Sequence, residues 1–170
     1  MRRRESTKDP RVSGYSRRGF SLIELLVVVA VILIIAAIAI PNYIKSKMRA
    51  NEASAVESLR NISTAEVVYS SLYGIGFSDG LIKLGGSGTV VDQDNAGLID
   101  GILAGGLKSG YSFTFSTLAT DSQGHVLSYT VLADPQVPGN SGQRHFYTDQ
   151  TMVIRSNVSA TAGPSDPPIS

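Results

Sequence analysis

Among its 170 residues the chain has no cysteine and no tryptophan. Without cysteine there is no disulfide framework, no thiolate-ligated zinc and no thiol nucleophile. Charge is sparse as well, at 17% of residues against the ~25% usual for soluble domains. The shortfall is concentrated between Phe20 and Ile40, where only Ser21 and Glu24 interrupt 19 apolar residues. Glycine is missing from Phe20 to Tyr73, a stretch of 54 residues whose single proline is Pro41. Catalytic patterns are missing too. Gly85-Gly86-Ser87-Gly88 lacks the Gly-Lys-Ser/Thr that completes a phosphate loop. No nucleophile elbow occurs among the serines. His125 and His145 have no carboxylate at metal-ligand spacing and read as solvated or packed side chains. An enzyme and a bound cofactor therefore have no support, and none is expected.

What the chain does have is a strong asymmetry. Residues 1–19 carry seven Lys/Arg against Glu5 and Asp9, a balance of +5; the remainder carries eight basic and twelve acidic residues, a balance of −4. A basic head ahead of an apolar run is a targeting layout, and the mildly acidic body excludes nucleic acid as an expected partner. Leu25 to Ile40 is an unbroken run of 16 apolar residues, and counting from Phe20 gives 21. As a helix these reach about 31 Å, enough to cross a ~30 Å hydrocarbon core. Such a run is too long for a strand, and in lipid a helix satisfies its own backbone. The excess of Lys/Arg before the run places the N-terminus in the cytoplasm and the body outside it. A cleaved secretory signal ending at Ala37-Ile38-Ala39 and a plain signal anchor compete with a specialised assembly segment. Neither alternative explains Glu24, a carboxylate that is costly near a membrane span unless partnered.

The residues around Glu24 are Arg17-Arg18-Gly19-Phe20-Ser21-Leu22-Ile23-Glu24-Leu25-Leu26. This stretch resembles the prepilin processing signal of type IV pilins and of type II secretion pseudopilins. The shared features are a basic leader, a glycine followed by phenylalanine, a glutamate five residues after the glycine, an apolar helix and Pro41. The resemblance is specific over about residues 17–60. It implies that a membrane aspartyl peptidase cuts between Gly19 and Phe20 and that the same enzyme methylates the new Phe20 amine. It further implies an α+β pilin-like fold, insertion in the inner membrane, an inner-membrane assembly machinery as partner, and a helical homo-oligomer as product. Cutting removes the +5 leader and leaves the Phe20 amine and the Glu24 carboxylate as the two strong charges at the end of an apolar rod. The amine of a neighbouring copy can then pair with Glu24, and because an unpaired buried charge costs far more than a paired one, the pair fixes register.

Beyond the apolar segment of residues 20–41, residues 42–73 read as an amphipathic helix half. Ala55, Leu59, Ile62, Ala65, Tyr69 and Leu72 recur at helical spacing, with Glu52, Glu57, Arg60 and Glu66 expected off that stripe. Pro41 is expected to kink the helix. Tyr69, Tyr73 and Phe77, four apart, are expected in the core. Eleven of the 17 glycines fall in residues 74–110, read as a connecting loop in which Leu81–Leu84 and Leu98–Leu103 can form short helices. An antiparallel sheet follows over residues 111–155, with strands at Tyr111–Leu118 and Val126–Ala133 and a closing hairpin of His145–Thr148 with Met152–Arg155 across Asp149-Gln150. The tail 156–170, polar with three prolines, is expected to be disordered. Many pilins fasten this end with a disulfide; this chain must use packing, neighbours or a metal instead.

One metal pattern bears weighing. Asp92, Asp94 and Asp100 partly match a calcium loop, but Ala96 offers no ligand and Leu103 stands where a bidentate glutamate is required. An Asp/Asn/Gly-rich turn accounts for the stretch equally well. Lys45, Lys47 and Arg49 are suited to lipid headgroups, to a neighbour's acids, or to a solvated juxtamembrane face. Asn61-Ile62-Ser63 and Asn157-Val158-Ser159 match the glycosylation pattern, as two chance occurrences would.

Overall fold

The computed structural model describes residues 19–86 and 91–169. The leader residues 1–18, with Arg17 and Arg18, lie outside the described residues, as do Ser87 and Gly88 of the glycine-rich stretch. The architecture is the expected α+β arrangement. It comprises α1 (Leu22–Tyr73), α2 (Leu81–Leu84), α3 (Gly101–Ala104), β1 (Leu107–Lys108), β2 (Tyr111–Thr120), β3 (Val126–Pro135), β4 (His145–Asp149) and β5 (Arg155–Asn157). The strands form one antiparallel sheet in sequence order, β1-β2-β3-β4-β5. Helix α1 belongs to two compact units, Met1–Ala39 and Ile40–Ser170, and passes through Pro41 as helix.

The second unit is built around the stripe of α1. Ala55, Leu59, Ile62, Ala65 and Tyr69 are buried, and they share one core with Tyr111, Phe113, Tyr129, Val131, Ala133, Phe146 and Ile154 of the sheet side. Alternation in β2 and β3 sends these side chains to the helix-facing side. Leu72 leaves the stripe and is exposed. The aromatics after it pack in pairs: Tyr69 with Tyr73 at 4.8 Å, and Phe77 with Tyr129 at 4.9 Å between ring centroids.

Two glutamates expected off the stripe are in the interior. Glu66 is fully buried and accepts the Ser78 backbone N–H at 2.8 Å and the Ser78 hydroxyl. Burial pushes its carboxyl above the ordinary range despite those bonds. Glu52 accepts the N–H groups of Gln143 and Arg144 at 2.9 and 3.2 Å and the Arg144 Nε–H at 2.8 Å. Burial raises the Glu52 carboxyl, but these donors outweigh it and hold the group below its usual value. Helix α1 is thereby fastened to the β3–β4 connection, to which the Tyr111 hydroxyl also donates, at the Arg144 carbonyl (2.8 Å).

Four expectations for the chain after α1 need correction. The stretch 74–110 carries a strand as well as helices, since β1 pairs with β2. Its second helix starts at Gly101 rather than at Leu98, because Asp100 caps it through the N–H groups of Ile102 and Leu103. The last hairpin is wider than expected. Asp149 accepts from the backbone and hydroxyl of Thr151, and Met152 takes a positive φ of 61°, so β5 begins only at Arg155. Finally, the tail is ordered through residue 169. The Asp166 carboxylate accepts from Asn157 Nδ2 (2.9 Å) and the Gly163 N–H (2.7 Å), and its carbonyl accepts from Arg155 (2.8 Å). Ile169 N–H donates to the Ile154 carbonyl at 2.9 Å, and Ala162 is buried. A composition poor in large apolar groups suggested disorder; hydrogen bonds from one aspartate supply the order instead.

Candidate functional site

The residues singled out for processing and assembly lie at the start of α1. Gly19, Phe20 and Ser21 precede the helix in non-helical backbone, and Phe20 is 82% exposed. A Cβ built on Gly19 would meet nothing within 4 Å, and Gly19 is absent from the glycines with positive φ. The folded chain itself therefore has no steric need for glycine there.

Ser21 is the residue before the helix, and its carbonyl accepts the Leu25 N–H at 3.2 Å. Its own N–H donates to Glu24 Oε2 at 3.3 Å. This is half of a capping box, in which the third helical residue reaches back to the cap amide. Ser21-Leu22-Ile23-Glu24 is the sequence signature of that motif, legible without the structure but overshadowed by the carboxylate's apolar setting. Glu24 sits in the first turn, where a negative charge also complements the helix dipole. Within the described residues the carboxylate has this one weak contact and no cation. Around it, Leu22, Ile23, Leu25 and Leu26 are all exposed, and no residue of the apolar window of α1 is buried. Mean hydropathy there is 3.3, and the helix is long and apolar enough to cross a membrane.

The remaining candidates are placed separately. Asp92 Oδ1 accepts the Asp94 N–H, Asp94 pairs with Lys83 at 3.1 Å, and Asp100 pairs with Lys108 at 2.8 Å while capping α3. Lys108 and the α3 amides hold the Asp100 carboxyl low. The structure does not bring the three aspartates together as a ligand set, and among the described residues no three His/Cys/Asp/Glu side chains converge. The two histidines do meet carboxylates: His125 Nδ1 lies 2.9 Å from Asp121, four residues before it, and His145 Nδ1 bonds Asp134 across the β3–β4 ladder, a partner the sequence spacing conceals. Both pairs join neighbouring backbone segments.

Residues 15–40 match the family model described as the prokaryotic N-terminal methylation motif. The type IV major pilin protein PilA of Myxococcus xanthus is 50% identical over 58 residues, 33% of this chain and 26% of the relative. The N-terminal segment is similar to that of type IV pilins and pseudopilins. Type II secretion system core protein G of Pectobacterium carotovorum subsp. carotovorum is 33% identical over 57 residues, covering 34% of this chain and 36% of that protein. The type IV wide pilus major component PilA4 of Thermus thermophilus is 54% identical over 35 residues, 21% of this chain and 27% of the relative. The chain spans between 26% and 36% of the length of these relatives. No solved structure matches it significantly. The matched stretch holds Gly19, Phe20 and Glu24, so the pilin-like motif coincides with the exposed end of α1 described above.

Proposed function

We propose that this chain is the structural subunit of a type IV pilus-like filament. It is made as an inner-membrane precursor with its N-terminus in the cytoplasm, cut by a prepilin peptidase between Gly19 and Phe20, methylated on Phe20, and polymerised through α1. The observation that carries this reading is Glu24: a lone carboxylate on an apolar helix half that buries nothing in its own chain, five residues after a glycine the fold does not need. Its partner is the Phe20 amine of an adjacent copy. In the filament Leu33–Pro41 is the weakest part of the helix, because Pro41 has no N–H for the Ala37 carbonyl.

The test is assembly. Glu24→Ala leaves the span more apolar and the Gly19–Phe20 junction intact, so insertion and cleavage persist while filaments fail, with a loss of several kcal/mol per subunit for an unpaired buried charge. Glu24→Gln fails nearly as completely. Normal filament yield from Glu24→Ala, measured against membrane-bound subunit, would refute the charge-pair mechanism. The likeness to core protein G favours a second reading, a pseudopilin of type II secretion. Mass spectrometry of sheared surface filaments separates the two, since a periplasmic pseudopilus leaves no such material.

A further inference from the structure

We propose that the membrane-proximal end of the second unit holds a binding groove for the headgroup of an anionic phospholipid. Lys45 and Arg49, four apart on one face of α1, line a cleft of about 410 Å³ together with Arg144 from the β3–β4 connection. Three cations meet there against one carboxylate, Glu52. That carboxylate is already engaged by two backbone amides and the Arg144 Nε–H. Lys45 and Arg49 make no ion pair or hydrogen bond among the described residues, and the two terminal nitrogens of Arg144 are similarly unused. The Arg144 guanidinium is held in place twice, by Glu52 and by the Phe146 ring 5.2 Å below it. A fixed guanidinium fork beside a lysine ammonium suits the oxygens of a phosphodiester. Met48 and the exposed Val158 give the cleft an apolar border, which matches the glycerol end of a lipid better than it matches a solvated inorganic ion.

The level of the groove agrees with this, and here the inference rests on the reading that the apolar run lies in the bilayer. Lys45 and Arg49 stand five and nine residues past Ile40, about 7 and 13 Å of helix rise. The headgroup zone occupies roughly 5–8 Å on each side of the hydrocarbon core, so Lys45 falls within it and Arg49 reaches back down by its long side chain. With a net charge of two on its lining groups, the groove favours a headgroup of net negative charge over a zwitterionic one.

Lys47 supplies the control. It lies on the same turn of α1 but lines a different cleft, with Asn51, Ser109 and Ser141. The experiment reconstitutes the full chain and its Lys45→Gln, Arg49→Gln and Lys47→Gln variants into vesicles of phosphatidylcholine and phosphatidylglycerol. Flotation reports insertion, and native mass spectrometry of the extracted protein counts the lipid it retains. Phosphatidylglycerol is expected to be retained in excess, with the excess falling about fivefold in Lys45→Gln and in Arg49→Gln and unchanged in Lys47→Gln. Equal losses in all three variants, or none in any, would overturn the groove. Displacement of the lipid by excess inorganic phosphate would overturn the headgroup assignment. Unchanged lipid retention with weakened self-association in Lys45→Gln would reassign the groove to a protein carboxylate and also overturn the proposal. Failure of every form to float would refute the membrane reading itself, a result distinct from flotation without lipid preference.

Discussion

The two halves of α1 are made of one continuous helix and live under opposite conditions. From Ala55 to Tyr69 the apolar side chains of the stripe are buried against residues of their own chain; from Leu22 to Ile40 the large apolar side chains stay exposed. The carboxylates follow the same division. Glu52 has three donors and Glu66 two, whereas Glu24 has one amide at 3.3 Å. A helix half whose partners lie in its own chain is complete; the other half has its apolar side chains exposed. Local sequence does not separate these cases, since Glu24 and Glu66 are the same residue on the same helix. What differs is the number of donors the fold brings to each.

The comparison breaks most readily at Leu59. It is fully buried, so Leu59→Ala is expected to cost about 2–5 kcal/mol of second-unit stability. Leu33→Ala, on the exposed half, is expected to change it by less than about 0.5 kcal/mol. Thermal unfolding of the detergent-solubilised chain checks both, and a large loss from Leu33→Ala would erase the distinction between the halves.

Glu52→Ala comes next. It removes the acceptor for three donors and leaves Arg144 without its anchor, for about 2 kcal/mol after allowance for the partly exposed guanidinium. Because the Glu52 carboxyl is held low in the fold, its contribution is present above the ordinary carboxylate range and is lost as pH falls through the folded value. Acid titration of stability should therefore lose part of its slope in the variant. Asp166→Ala is expected to cost about 1 kcal/mol and to expose the tail to carboxypeptidase, read as faster trimming of residues 160–170. Retained protection would show that Asp166 does not hold the tail.

At Glu66 the expected sign is opposite to that at Glu52. Burial raises this carboxyl, so the fold favours its protonated form. The stabilisation is full below the unfolded value and declines as pH rises through the folded one. Glu66→Gln keeps a neutral group that can bond Ser78, so stability near neutral pH is expected to be equal or up to about 1 kcal/mol higher. The decline with rising pH should flatten. A steeper decline would mean that the ionised form is the one the interior accommodates.

Much of this was legible in the sequence because it is local. The stripe Ala55–Tyr69 and the alternation Tyr111, Phe113, Phe115 report helix and strand directly, and an apolar run of that length admits few structures. The stretch that matches the methylation motif is local too, with Gly19, Phe20 and Glu24 packed within ten positions. What was hidden depends on distant partners. Glu66 is buried because Ser78 returns to meet it, and Glu52 because Gln143 and Arg144 do, some ninety residues on. The His145–Asp134 pair exists only once β3 and β4 align. The tail's order rests on one aspartate among small polar residues, a pattern whose composition resembles disorder.

The sheet's two margins have a consequence for life in a crowd. One margin is β1, two residues long with Lys108 at its end; along the other, β5, runs the tail, with Arg155 bridged to Pro168 and Ser156 bonded to the Pro167 carbonyl. Prolines offer no N–H to an incoming strand along the β5 margin, whereas on the other side β2 runs on past β1 to Thr120. Copies of this chain held side by side are thereby denied, along β5, the common route to irreversible clumping, strand added to strand.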